Sequence, residues 1–341
     1  YKRQLIGLMN NANVGGIVLL AVKSGAGSAY KNMCAERFEE EARKTGKPFR
    51  IVYLTNVGGS YNMLGETLRL TREVLLEVSD FRRENCPLSA LTLGVKCGTS
   101  DATSGIAGNP CVGAAFDQLI RAGGTAFFSE TTEIIGAEDL VAKRAVNESV
   151  AKKILSAARH WEDKAKATGE DIRKINPIPA NIAAGISSLE EKSLGAIAKS
   201  GTSPIQDVLK YAEMPKGSGL YFVDSWMSSL SLPLCLTACG ATIMLYQMGG
   251  GKIAQHPMMP SINPTVVSPF LYLTGNAIAY SRAPDNFDFD ASPIMTEGAS
   301  IPEMGTKLLE HLSAIASGTM TKMETLNYAE QLELYMEGPV L

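Results

Sequence analysis

The chain has 341 residues, enough for about two domains and for a large buried core. Hydrophobic residues make up 45% and charged residues 20%, ordinary globular usage. A net charge of −3 without a long basic run argues against a nucleic-acid binder, and an acidic substrate would need locally placed Lys, Arg or metal.

Residues 17–22 form a short apolar run, the pattern of a buried parallel strand. A polar helix is predicted over about 29–44, a second strand over 48–54 and an amphipathic helix over 63–77. This βαβα alternation favours a parallel sheet covered by helices. A boundary is predicted at 85–87, giving an α/β middle domain over 1–86 and a larger α/β domain over 87–341. In the second domain, 91–95 reads as a strand and 112–122 as a helix. Residues 125–128 read as a strand, and 137–167, rich in Ala, Lys and Glu, as helix. The stretch 176–188 reads as a loop, 220–223 and 241–245 as strands, and 303–317 and 322–336 as helices. There is no internal repeat and no low-complexity segment.

Six cysteines, Cys34, Cys86, Cys97, Cys111, Cys235 and Cys239, form no CxxC framework. A chain of this size needs no disulfide staples, so reduced thiols and a cytoplasmic setting are expected. No signal peptide and no apolar run long enough to span a bilayer is seen, so no membrane partner is expected. The longest apolar stretch, 230–246, is broken by Ser231, Pro233, Thr237, Gly240 and Thr242 and reads as buried sheet and turn. Because the sequence opens at Tyr1 already close to a strand, a missing N-terminal part is expected.

Three segments carry chemistry. Lys96-Cys-Gly-Thr-Ser-Asp-Ala-Thr-Ser-Gly-Ile-Ala-Gly-Asn-Pro110 follows a strand and precedes a helix, and open α/β sheets bind ligands outside the carboxyl ends of their strands. Cys97 and Asp101 can supply thiolate and carboxylate to a metal. The competing reading is a polar turn capped by Ser104 or Asn109, with Cys97 buried as a small hydrophobe. In Phe128-Ser-Glu-Thr-Thr-Glu133, Glu130 or Glu133 can act as a general base if burial raises its pKa. Otherwise they are acids at a helix N-terminus. In the segment 191–204, Lys192 and Lys199 can clamp a carboxylate while Thr202 and Ser203 bond hydroxyls, or the segment is a solvated helix end capped before Pro204. Cys235 and Cys239 read as a core pair. Of three histidines, His160 and His311 lie on ordinary helices, and His256 is the one considered for catalysis.

These segments resemble the altronate and galactarate dehydratase family. Lys96 through Gly113 is similar to the family's signature, Ser129-Glu-Thr-Thr-Glu-Ile-Ile-Gly-Ala-Glu138 to its next block, and Glu191 through Pro204 with Tyr211-Ala-Glu213 to a third. The likeness is strong from about 90 to 224 and fainter before, where Asn13-Val-Gly-Gly-Ile-Val-Leu-Leu20 looks like the family's middle domain. The resemblance implies a metal-dependent lyase, using Fe2+ or Mn2+, that removes water from a sugar acid such as altronate or galactarate to leave a keto-deoxy acid. It also admits another α-hydroxy acid such as sulfolactate, with sulfite leaving. In that frame Glu130, Glu133, Lys192 and His256 are the catalytic candidates. Ser100, Ser104, Asn109, Ser129, Thr202 and Lys199 are expected at the substrate, and Cys97 and Asp101 at the metal. A homo-oligomer and a small N-terminal-domain-like subunit are the implied protein partners.

The sequence also departs from the family pattern. The Gly-Cys-Glu element of the middle domain is replaced by Ala21-Val-Lys-Ser-Gly-Ala-Gly27, and an arginine-bearing loop by Met248-Gly-Gly-Gly-Lys-Ile-Ala-Gln-His256, with Lys252 the nearby cation. These losses favour a degenerate homologue that binds a sugar acid without turnover. The converging polar groups around Cys97, Glu130 and Glu133 favour an enzyme.

Overall fold

The computed structural model describes residues 2–22, 35–250, 262–329 and 332–335. Near the N-terminus, β1 (Ile17–Ala21) and β2 (Phe49–Tyr53) pair in parallel, Ile17 opposite Phe49 through Ala21 opposite Tyr53. On the Ala35–Lys44 helix, Phe38 and Ala42 are four residues apart and so share one face. They bury that face with Met9 against Ile17, Leu19 and Phe49. The Lys2–Asn10 helix ties this unit to the main body. Its Leu8 packs with Ala212, Leu234 and Ala238, and the Asn11 amide donates to the carbonyls of Thr237 and Ala241.

Among the described residues the main body is a second sheet of seven strands: β3 (Thr92–Gly98), β4 (Thr125–Phe128), β5 (Ile205–Leu209), β6 (Gly219–Val223), β7 (Ile243–Met248), β8 (Phe270–Thr274) and β9 (Phe289–Asp290). All pairs are parallel, in the spatial order β5-β6-β4-β3-β7-β8-β9. Both faces are covered, which is why the strands read as continuous apolar runs. Alternate residues enter two cores, as the two-residue period of a strand requires. Leu93, Val95, Phe128, Phe222, Leu245 and Leu271 meet the Asn109–Arg121, Glu148–Ala167 and Ile301–Ala316 helices. Phe127, Tyr221, Met244, Tyr246 and Tyr272 face the Ser231–Ala238 helix instead.

The chain builds outward from β3 to one side, then returns to place β7 on the other. This reversal is a topological switch point, where open α/β sheets form their ligand crevice beyond the strands' carboxyl ends.

Several predicted elements are corrected. Residues 231–238 are a helix buried on every side, not sheet and turn. Periodicity cannot separate a fully buried helix from a buried strand. The 137–167 helix is two, Glu138–Ala142 and Glu148–Ala167, with Asn147 capping the second through the Val150 amide. Among the described residues, the predicted 322–336 helix keeps one turn, Lys322–Thr325. The 176–188 loop contains the short Pro179–Ala183 helix. Strands β5, β8 and β9 were not foreseen, and residues 29–34 of the helix predicted over 29–44 lie outside the described residues. No helix among the described residues is long and apolar enough to cross a membrane.

Candidate active site

The site begins where β3 and β4 end. Beyond each strand a non-glycine residue adopts positive φ: Thr99 at 50° and Glu130 at 72°. Such backbone costs about 1–3 kcal/mol and persists where its surroundings over-determine it. In Glu130 it turns the side chain back beneath the β3 end. There Oε2 accepts from the Cys97 amide at 3.0 Å and Oε1 from Lys96 Nζ at 3.3 Å. Lys199 also donates to Oε2 and lies 3.1 Å from Cys97 Sγ. Lys96 additionally donates to the Cys97 carbonyl at 2.8 Å and sits 4.8 Å from the centre of the Tyr246 ring. All four side chains are at most 3% exposed.

Two ammonium ions therefore share one carboxylate in a site closed to water. Burial alone would raise the Glu130 carboxyl, but the charges of Lys199 and Lys96, with the Cys97 amide, hold it down at about 2. Burial works against both ammonium groups as well. The groups facing them, the Cys97 sulfur and the Glu130 carboxylate for Lys199 and chiefly the Glu130 carboxylate for Lys96, keep both above the usual lysine value. Burial and then the Glu130 charge push the Cys97 thiol up to about 11, so it stays protonated at neutral pH.

A second buried pair adjoins the first. Glu133 Oε1 lies 3.2 Å from Lys192 Nζ, which also donates to Asn176 Oδ1 at 2.6 Å. Oε2 of Glu133 is buried and accepts no hydrogen bond among the described residues. Lys192 lines a cavity of about 270 Å³ together with Ser100, Asp101, Ser104 and Asn109. Asn109 Oδ1 is likewise a buried acceptor without a donor. A larger open groove of about 1270 Å³ beside edge strand β5 contains none of the predicted site residues.

Close backbone approach brings the segment carrying Lys192 and Lys199 here. Gly105 and Gly195 face each other so tightly that a Cβ on Gly105 would lie 3.0 Å from the Gly195 Cα. A Cβ on Gly113 would lie 2.2 Å from the Ala198 carbonyl. The turn after Lys199 is held by Asp117, which accepts from the amides and hydroxyls of Thr202 and Ser203. Arg144 donates to Ser200 Oγ at 2.8 Å and to the Ser200 and Ser203 carbonyls.

The predicted residues thus separate. Glu130, Glu133, Lys192, Lys199 and Cys97 come together. Thr202 is held by Asp117, and Ser129 donates to the Val223 carbonyl at 2.6 Å, so both hydroxyls serve the scaffold. Ser104 closes the turn around Asp101, whose amide it accepts at 3.2 Å, while Asn109 donates to the Gly195 carbonyl at 2.8 Å. Ser100 contributes its carbonyl to the Asn181 amide group. His256 lies outside the described residues. Lys96 was not singled out as a site residue. Its signal was a lysine inside an otherwise apolar parallel strand, where a charge is buried only with a partner.

Cys97 and Asp101 do not make a shared metal donor set. Asp101 Oδ1 accepts from Thr103 and Ser104, and Oδ2 from the Gly250 amide and Asn276. The Cys97 thiol faces the Lys199 ammonium, a cation already in place. No three His, Cys, Asp or Glu side chains among the described residues group as a metal site. The described residues therefore do not fit an iron or manganese ion.

Residues 88–339 match the family model of the C-terminal part of D-galactarate/altronate dehydratase. The chain is 31% identical to the (2R)-sulfolactate sulfo-lyase subunit beta of Chromohalobacter salexigens over 332 residues, covering 96% of this chain and 80% of that one. It is 34% identical to the galactarate dehydratase (L-threo-forming) of Escherichia coli over 283 residues, covering 83% of this chain and 52% of that protein. It is 30% identical to the altronate dehydratase of Bacillus subtilis over 340 residues, spanning 64% of that protein. With a family model covering most of its length, the chain belongs to the D-galactarate/altronate dehydratase family.

Proposed function

We propose that this chain is a lyase that removes water from a sugar acid of the altronate or galactarate class to give a keto-deoxy acid. The observation that carries this reading is the buried group at the switch point in which Lys96 and Lys199 share the single carboxylate of Glu130. The surplus positive charge suits a carboxylate ligand, and buried acceptors at Asn109 and Glu133 suit the hydroxyls of a polyol. The names of the dehydratase relatives support the same class.

In this reading Glu133 is the base. Its free Oε2 takes the proton α to the substrate carboxylate, while Lys192 fixes the carboxylate of Glu133 from the other side. Charge then accumulates on the substrate's carboxylate as an enediolate forms, and the buried ammonium groups stabilise it. The β C–O bond breaks, the departing hydroxide takes up a proton as water, and the resulting enol tautomerises to the keto acid. Glu130 is a poorer base, because its oxygens already accept from Lys96, Lys199 and the Cys97 amide.

A second substrate is favoured by the likeness to the sulfo-lyase subunit: sulfolactate, with sulfite leaving in place of hydroxide. An anaerobic panel of C6 hydroxy acids and sulfolactate, with and without ferrous ion and a small partner subunit, tests both. Keto-acid formation without sulfite supports the hydro-lyase, and sulfite release assigns the sulfonate. No turnover under any condition, with binding of a sugar acid retained, would assign a non-catalytic homologue.

A further inference from the structure

We propose that Cys97 and Lys199 form a redox switch in which one oxygen atom joins the sulfur to the nitrogen as a covalent N–O–S bridge, shutting the site. The effect on turnover rests on the functional reading above, whereas the bridge itself does not.

The two atoms that would be joined are already neighbours, with Cys97 Sγ 3.1 Å from Lys199 Nζ. Both side chains are buried, at 3% and 1% exposure. Glu130 Oε2 touches each partner, accepting from Lys199 and lying 3.5 Å from the sulfur. It is thus placed to take the proton released as the bond forms. The other buried cysteines among the described residues differ. Cys111 sits in one apolar core, and Cys235 and Cys239 in the other. Among the described residues, the group beside the Cys97 sulfur is an amine and not a second thiol. An oxygen added to the sulfur on the side of Lys199 would lie against Nζ, which favours capture by nitrogen over further oxidation along the sulfinic ladder. Molecular oxygen is small and uncharged, so a site that excludes charged oxidants does not by the same means exclude it.

The reaction balances with molecular oxygen as the oxidant. The ammonium of Lys199, the thiol of Cys97 and one O2 give the bridge, one water and one proton. Two N–H bonds, one S–H bond and the O–O bond break, and N–O and O–S bonds form. Nitrogen and sulfur each lose two electrons, and the oxygen molecule accepts four. Two equivalents of a dithiol reverse it, regenerating amine and thiol with release of water. Bridging removes the positive charge of Lys199 and with it one of the two ammonium partners of Glu130. The surplus charge that would attract a substrate carboxylate disappears.

Protein purified anaerobically would be exposed to air-saturated buffer and compared with a dithiothreitol-treated half by intact mass and peptide mapping. The bridge appears as a gain of about 14 Da, distinct from the ~16 Da of a sulfenic acid, with the peptides containing Cys97 and Lys199 linked until reduced. Cys97→Ser and Lys199→Arg each abolish the linkage, and the wild-type map decides the matter even if a variant fails to fold. An unchanged mass, unlinked oxidation of Cys97, or linkage to Lys96 instead would overturn the bridge. Turnover should fall at least tenfold on bridging and return with dithiothreitol, so a bridged protein with undiminished turnover would overturn the switch. Absence of turnover in the reduced protein would count against the lyase reading and leave the bridge to be judged by mass alone.

Discussion

Lys192 pairs with one oxygen of Glu133 at 3.2 Å and leaves the other, Oε2, buried without a hydrogen-bond donor among the described residues. Glu130, three residues earlier, has donors on both of its oxygens. Two acids that look alike in the sequence therefore sit differently: Glu130 is bound by two ammonium ions, and Glu133 keeps one oxygen for the proposed role of base.

Glu133→Gln removes the proposed base while keeping its shape. The turnover number should fall by about 10²–10⁴-fold, the usual contribution of a positioned general base. Substrate binding, measured by calorimetry, should change far less. Turnover within a few-fold of the wild type would remove Glu133 from the role.

Glu130→Gln leaves two buried ammonium ions without their counter-charge. Unfolding by urea should show a loss of about 3–5 kcal/mol, the range for breaking a buried pair by deleting one partner. The same carboxylate makes stability pH-dependent. Its pKa falls from an ordinary 4.5 to about 2 on folding, so its contribution is complete above pH 4.5 and is lost as pH falls toward 2. The variant should lack this acid-side decline.

Gly113→Ala should act on Lys199 without touching it. The added Cβ would meet the Ala198 carbonyl at 2.2 Å and displace the turn carrying Lys199. Overpacking of this kind costs about 1–3 kcal/mol. Thermal denaturation should register that loss, and turnover at saturating substrate should drop with it. A variant as stable and active as the wild type would show that the turn yields freely.

Asp288 is predicted to give an opposite pH signature. Burial pushes its carboxyl up to about 6, against the lowering effect of the Lys322 and Tyr272 amides it accepts. Its folded value is thus above the ordinary 3.8. Its stabilising contribution is full below that value and is lost as pH rises through about 6. The melting-temperature difference between wild type and Asp288→Asn, followed from pH 4 to about 7, should shift steadily against the wild type. A difference that stays flat across this window would refute the assignment.

Much of the body was legible because apolar runs followed by polar glycine-containing loops report parallel strands directly. β4, for example, was read at its observed bounds, 125–128. The 231–238 segment misled because it is buried on all sides, so its sequence carries no polar face to reveal a helical period. Residues 326–329 and 332–335 misled in the opposite way: a plausible amphipathic pattern does not make a helix unless a partner surface buries its apolar side. Thr202 and Ser129 illustrate the same limit at the site, since a hydroxyl in a polar loop serves ligand and scaffold equally well until its partner is known. Here the partners are Asp117 and the Val223 carbonyl.

The sequence by itself determined the fold class, the family likeness and the three segments that carry the chemistry, because those depend on local patterns and ordered motifs. Only the tertiary structure decided which groups meet. Cys97, Glu130 and Lys199 lie 33 and 69 residues apart along the chain, and their charges are set by one another. Desolvation alone would have raised the Glu130 carboxyl, the condition the sequence reading set for a base, yet two lysines brought from β3 and from the turn beyond the Leu189–Ile197 helix reverse the sign. A pKa is a sum over neighbours in space.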